Sequence, residues 1–480
     1  MPRLLNFANE ILYQIIAATS SHDIESLAAS CRTINTLAKS KVKRHHELKK
    51  KYSRLAFRDC GDSRYVPAVH PIYVLRDVLH DATVAQYPTI IRSTQLSNNY
   101  DEWLDNDLDI AKWEAVRAVA VGCESEIMNA IYQCPFIEIP EREAWKAQIM
   151  QGNGGAIFGL LLTLLPHLTS MVIEQRPEGL LMKMFKRIVE LQQRPHIHAP
   201  QALTKLARID TIPYYSMDDM TPACEFDFFS QYALLPSMRS ITGSGLDTDI
   251  GGDDQSFQWR HNPGISDVRE INIARSTVDG ESITNLLRGV RALESFSLSC
   301  DADMYTRPVY QPRRIIDGLK HYTKCSLSYL DLTGIRTEMI TVEVGDLESD
   351  LRGFEKLKQL HIRHTLLGHH DRPCMAASSG KWDQCSGKSN RESSCWSERL
   401  VDVLPASLES LKLVGSVPWK RVKAIFAGFS ELKAERLPRL REIEMWGSAA
   451  AELRFVHLCK KLGVVLSQNG NKDDVHYQCS

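Results

Sequence analysis

His364, His369, His370, Cys374, Cys385 and Cys395 crowd one stretch of the chain, and every one of them is a zinc-ligand type. The spacing argues against a metal centre. Zinc loops bring cysteines in as Cys-x-x-Cys pairs, whereas these lie about ten residues apart. A polar surface loop is the better reading, and no metal is expected there. Gly152-Asn153-Gly154-Gly155-Ala156-Ile157 begins like a dinucleotide-binding glycine loop, but Ile157 stands at the third glycine position. Glu141 to Met150 before it has helical periodicity where that loop needs a strand, so a turn ahead of a helix from Ile157 to Leu165 is expected. Asp247-x-Asp249-x-Gly251 starts like a calcium loop and fails at its closing acid, which is Gln258. His196-Ile197-His198 lies between prolines with no base or metal partner nearby. No serine elbow, kinase set or thiol-protease context is present. The chain is therefore read as a non-enzyme without a cofactor.

Composition narrows the class. The chain has 480 residues, 43% apolar and 24% charged, with a net charge of -1. It can bury a sizeable core, and nothing in its charge favours nucleic acid or an anionic membrane. No apolar run is long enough to cross a bilayer. Ile11 to Ala18 is short and preceded by Glu10, a poor signal peptide. Twelve scattered cysteines fit reduced thiols in the cytosol or nucleus better than a disulfide framework.

The elements that must organise such a chain begin at the N-terminus. Ile11, Leu12, Ile15 and Ile16 recur at helical spacing. Ser20, Ser21 and Asp23 are helix-capping types placed before Ile24, Leu27 and Ala28, and Cys31, Ile34 and Leu37 continue the period. Short helices of this size must pack on the rest of the chain or on a partner. With Leu4-Leu5-Asn6-Phe7-Ala8-Asn9-Glu10-Ile11 leading in, the segment resembles an F-box. That family docks on a Skp-type adaptor, which recruits a cullin-based ubiquitin ligase. The resemblance implies adaptor contacts through Leu5, Phe7, Ile11, Leu12, Ile15, Ile16, Ile24, Leu27, Ala28, Cys31 and Ile34. One departure stands out: Phe7-Ala8 replaces the family's Leu-Pro pair, so the first helix loses a preset dihedral at its start. The basic run Lys39, Lys41, Lys43, Arg44, Lys49, Lys50, Lys51 and Arg54 reads as a solvated helical face.

A second signal runs through the remainder, apolar-x-x-apolar-x-apolar. It recurs at Leu168/Met171/Ile173, Val268/Ile271/Ile273, Leu293/Phe296/Leu298 and Leu327/Leu330/Leu332. It returns at Leu357/Leu360/Ile362, Leu408/Leu411/Leu413 and Leu440/Ile443/Met445, with weaker copies at Leu203/Leu206 and Met238/Ile241. Many copies lie roughly 25 to 35 residues apart, the scale of a solenoid repeat. Alternation predicts one short strand per unit, and the stretches Ser282 to Val290 and Arg314 to Tyr322 predict helices between strands. The pattern resembles irregular leucine-rich repeats, an α/β solenoid with one parallel strand per repeat. An F-box followed by such repeats is an arrangement typical of F-box proteins of filamentous fungi.

The expected domains are an F-box over 1–45, a helical linker over 46–155, the repeat region over 156–470 and a tail over 471–480. Within the linker, Leu104, Leu108, Trp113, Val116, Ala120 and Val121 are the apolar members of one helical run from Asp101 to Cys134, ended by Pro135 and Pro140. Ala449 to Lys461 with Gly463 to Leu466 is read as a terminal cap. Insertions at 243–263 and 367–399 break the period. The resemblance implies a substrate-recognition subunit of an SCF-type ligase, with a protein substrate held on a concave strand face. The outward strand positions Asn272, Ser297, Asp331, His361, Lys412 and Glu444 are the expected substrate contacts. A repeat scaffold with no link to ubiquitin is the alternative, and the sequence names no substrate.

Overall fold

The computed structural model describes residues 7–21, 23–58, 69–94, 107–175, 179–193, 202–213, 224–248, 256–299, 312–334, 351–363, 366, 399–415, 419–446 and 453–469. Leu5, Leu104, His196, His198, Asp249, Gly251, residues 364–365, the stretch 367–395 and the 471–480 tail lie outside the described residues. The protein is of mixed α/β class, and all fourteen of its described strands belong to parallel ladders. The chain divides into two compact units, Met1–Tyr214 with Leu234–Met238, and Tyr215–Ala233 with Arg239–Ser480.

The first unit opens with α1 (Asn9–Ala18), α2 (Ile24–Ser30) and α3 (Arg32–Tyr52). Ile16, Ile24, Ala28, Ile34 and Ala38 close a small core among them, with Leu27, Cys31, Leu37 and Val42 packed against it. The Cys31 sulfur caps α3, accepting from the Ile34 N–H at 3.4 Å. Lys41 reaches from α3 to the free carbonyl end of α1 and donates to Ile16, Ala17 and Thr19, the last two at 2.8 and 2.9 Å. An ammonium there satisfies orphan carbonyls and opposes the helix dipole.

Only Ser53 separates α3 from the strand β1 (Arg54–Arg58). Then follow α4 (Pro71–His80), β2 (Ile90–Thr94), α5 (Asp107–Gly122), α6 (Glu124–Gln133), α7 (Arg142–Met150), α8 (Gly154–Thr163), β3 (Ser170–Gln175), α9 (Leu180–Gln192) and β4 (Arg208–Pro213). The strands pair in parallel in that order, with Leu55, Ile91, Met171 and Ile209 in register as a buried row. Every described residue of α8 from Gly154 to Leu162 is buried, as expected for a helix apolar all round. Its glycines belong to the helix, which starts earlier than the sequence implied, with the Asn153 side chain capping the Ala156 N–H at 2.9 Å.

Residues 46–155 are not helical throughout, since β1 and β2 lie within them, and the chain does not divide at 155. Their signature is faint because β2 turns Ser93, not an aliphatic residue, into the second inward position. The helical run to Cys134 breaks at Cys123 into α5 and α6. Trp113, Val116 and Ala120 are buried, but Val121 is 62% exposed, because it points about 100° away from Ala120 on a helix with one covered face.

The second unit contains β5 (Cys224–Glu225), α10 (Phe226–Tyr232), β6 (Ser240–Ser244), β7 (Leu246–Asp247) and β8 (Glu270–Ala274). It continues with α11 (Gly280–Gly289), β9 (Ser295–Leu298), α12 (Pro312–Thr323), β10 (Tyr329–Leu332), β11 (Gln359–Arg363), α13 (Leu400–Val403) and β12 (Ser410–Val414). Last come α14 (Trp419–Ile425), α15 (Phe429–Arg436), β13 (Glu442–Trp446), α16 (Leu453–Lys461) and β14 (Val465–Asn469). β5 pairs with β7, while β6 and β8 to β14 form successive parallel pairs. Thus α16 and β14 do end the described chain as helix then strand.

Three apolar rows make the core of this unit. Val268, Leu293, Leu327, Leu357, Leu408 and Leu440 precede their strands and are all 0% exposed. Ile241, Ile271, Phe296, Leu330, Leu360, Leu411 and Ile443 form the second row, in register across the ladder. In the third row Gly243 stands beside Ile273. A Cβ there would lie 2.6 Å from Leu246 and 2.8 Å from Phe229, so those two side chains fill the place that a strand residue occupies elsewhere. The ladder begins one residue before each strand, with Ser328 N–H donating to Glu294 O, Lys358 to Ser328 and Glu409 to Lys358 at 2.7 to 2.8 Å.

The expected insertion at 243–263 is partly built into the unit. Trp259 is 6% exposed and sits against Gly289, where a Cβ would come within 2.2 Å of the indole. Asn285 donates to the Phe257 carbonyl at 2.8 Å, tying the segment to α11.

Candidate functional site

Two surfaces gather the residues singled out from the sequence. On the N-terminal helices the eleven expected adaptor contacts separate by burial. Leu12, Ile16, Ile24, Ala28 and Ile34 are buried, so their side chains are shielded from any partner in this conformation. Helical periodicity marks an apolar face without saying whether the chain itself covers it. Ile15, Leu27 and Cys31 are half-buried. Phe7 and Ile11 are 42% and 41% exposed, joined by Tyr13 at 53%. Ile11 and Ile15 stand four apart on one side of α1, with Phe7 just before the helix. The helix starts at Asn9 with Ala8 at its N-cap and no side-chain cap, the local result of the Phe7-Ala8 pair.

The basic run on α3 is largely engaged. Lys49 pairs with Glu25 at 3.2 Å, Lys51 with Asp77 at 3.2 Å and Arg44 with Asp81 at 2.7 Å. Tyr52 also donates to Asp77 at 2.6 Å. The first of these contacts fastens α3 to α2, and the others fasten it to α4 and the residue that follows α4.

The second surface is the outward face of β6 to β14. Parallel register aligns Asn272 with Ser297, Ser297 with Asp331, Asp331 with His361, His361 with Lys412 and Lys412 with Glu444. All six expected substrate contacts therefore fall in one row, about 24 Å long at the usual spacing between strands. Thr242 and Ser467 extend it at its two ends.

The row contains two polar knots. In the first, the Tyr329 hydroxyl donates to Asp331 Oδ2 at 3.1 Å and lies 3.1 Å from His361 Nδ1, which is 3.4 Å from that same carboxylate oxygen. The other Asp331 oxygen accepts from the Thr333 N–H at 2.9 Å and its hydroxyl at 2.7 Å. Burial alone would raise the Asp331 pKa, but the hydrogen bonds from His361 and Thr333 outweigh it and hold the carboxyl below its ordinary value. Burial, then the neighbouring Asp331 charge, drives the Tyr329 phenol upward, so it stays a donor. In the second knot Lys412 Nζ lies 3.6 Å from Glu444 Oε2 and 4.0 Å from the Trp446 ring centroid. The Trp446 indole N–H donates to Glu444. A cation over an indole and beside a carboxylate holds all three side chains in place.

Beside the first knot lies an open hollow of about 330 Å³ lined by Glu270, Ile271, Asn272, Ser295, Ser297 and Tyr329. The face thus offers fixed donors, fixed acceptors and two aromatic rings. Tyr329 and Trp446 were missed as site residues, although each stands two positions from a residue already placed on the outward side, the strand period.

Among the described residues, no helix is long and apolar enough to cross a membrane. No family model matches the chain, and a search of curated proteins finds no match.

Proposed function

We propose that the chain is a substrate-recognition subunit of an SCF-type ubiquitin ligase, built from an F-box-like helical module and irregular leucine-rich-repeat-like units. The observation that carries this reading is the condition of α1. Its module closes its own core yet leaves Phe7 and Ile11 exposed, with half-buried Ile15 on the same side of α1 as Ile11. Burying side chains of this size stabilises a complex by about 1.5–3 kcal/mol each. A Skp-type adaptor, and through it a cullin, is the partner proposed for this surface. The strand face, with its locked polar knots, holds the protein substrate. Function is then proximity: a target held near a charged conjugating enzyme presents its lysines at high effective concentration. The ligase chemistry comes from the partners, and the complex works in the cytosol or nucleus.

Co-purification with a Skp-type adaptor tests the proposal. The native chain is expected to bind. Phe7→Asp with Ile11→Asp is expected to abolish binding while leaving the melting temperature unchanged. Two carboxylates at an apolar interface cost about 4 kcal/mol or more, roughly a thousandfold in affinity. A native chain that is folded and does not bind overturns the proposal. The absent Leu-Pro pair would then favour a repeat scaffold independent of ubiquitin.

A further inference from the structure

Glu25 on α2 is met by two adjacent histidines of α3. His45 Nε2 lies 3.0 Å and His46 Nε2 3.1 Å from the same oxygen, Glu25 Oε1. Consecutive residues on a helix point about 100° apart, so two neighbouring imidazoles reach one atom only when both turn toward it. His45 is buried, its side chain 7% exposed, and its other nitrogen Nδ1 lies 3.2 Å from the Tyr87 hydroxyl. Among the described residues, these are a group whose ligand atoms all fall within 4.8 Å of one another.

We propose that Glu25, His45 and His46 form a site for a zinc-type divalent cation that staples α2 to α3. Two imidazoles and a carboxylate are borderline-to-hard donors of the kind zinc accepts, and three protein ligands leave a fourth position for water. Tyr87 supplies the outer contact. With Nε2 on the metal, the His45 Nδ1–H donates to the Tyr87 hydroxyl, which fixes the ring and its tautomer. Lys49 competes with the metal for the carboxylate, its Nζ 3.2 Å from Glu25 Oε1. The cation must displace that ammonium and any proton carried on the histidine Nε2 atoms, so binding releases protons and frees Lys49. This site stands apart from the adaptor proposal, because its ligands sit between α2 and α3 and not on the exposed side of α1.

The test is zinc titration of the full-length, tag-free chain by calorimetry, with cobalt as the spectroscopic probe. The native chain is expected to take up one equivalent that gives tetrahedral cobalt bands and raises the melting temperature. His46→Asn alters an exposed side chain and is expected to lose that equivalent while keeping its metal-free melting temperature. Tyr87→Phe is expected to weaken binding about tenfold. Lys49→Met removes the competing charge and is expected to tighten binding by roughly tenfold. The cysteines and histidines between 364 and 395 are untouched in every variant, so uptake by them is the same throughout. Identical titrations of the native chain, His46→Asn and Lys49→Met overturn the proposal.

Discussion

The N-terminal helices and the outward strand face both display residues to solvent, yet by opposite means. The helices leave apolar side chains uncovered on α1. The strand face leaves polar side chains half-buried and ties them to one another, as in the Tyr329–Asp331–His361 and Lys412–Glu444–Trp446 knots. An apolar patch binds by removing area from water and tolerates variation in its partner. A preorganised polar row discriminates, because any partner that leaves one of its groups unpaired loses affinity. The apolar surface is suited to affinity and the polar row to specificity.

The sharpest way to break this comparison is to confuse inside with outside on the helices. Ile24→Asp buries a carboxylate in the module core and is expected to cost about 4 kcal/mol or more, seen as loss of cooperative melting. Ile11→Asp, on the exposed side, is expected to stay within about 0.5 kcal/mol of native by the same measurement. Equal losses would mean that α1 is covered by its own chain.

Neighbours on one strand give the next largest contrast. Leu360→Ala is expected to lose about 2–5 kcal/mol in denaturant unfolding. His361→Ala removes only the hydrogen bonds of the first knot and is expected to lose about 1 kcal/mol. Lys41→Met, at the carbonyl end of α1, should cost about 1 kcal/mol and expose the backbone amides of α1 to faster hydrogen exchange.

The smallest effect is one of pH. Asp331 titrates below its ordinary 3.8 in the folded protein, so its contribution is complete above 3.8 and is lost as pH falls through the lower folded value. Asp331→Asn is expected to flatten the acid limb of stability against pH below about 4 and leave the slope near neutrality alone. An unchanged acid limb would show that the first knot contributes nothing to folding.

Most strands of the second unit were legible because apolar-x-x-apolar-x-apolar repeats the strand period with aliphatic residues at nearly every inward place. The register that aligns Asn272 through Glu444 follows once those inward positions match. β1 and β2 were harder, since Leu55 and Phe57 follow a basic helix and β2 offers Ser93. The division of the N-terminal apolar residues into covered and uncovered sets was not legible, because it depends on which faces α1, α2 and α3 turn to one another. The meeting of Glu25 with His45 and His46 was equally hidden. Its one sequence mark was the His45-His46 pair, twenty residues from its acid.

The three buried rows and the polar row beside them answer to different pressures. Inward positions are constrained by the rows on either side, whereas an outward side chain touches little beyond its immediate neighbours. The polar row can therefore be rewritten one strand at a time, and the aliphatic spine beneath it keeps its packing.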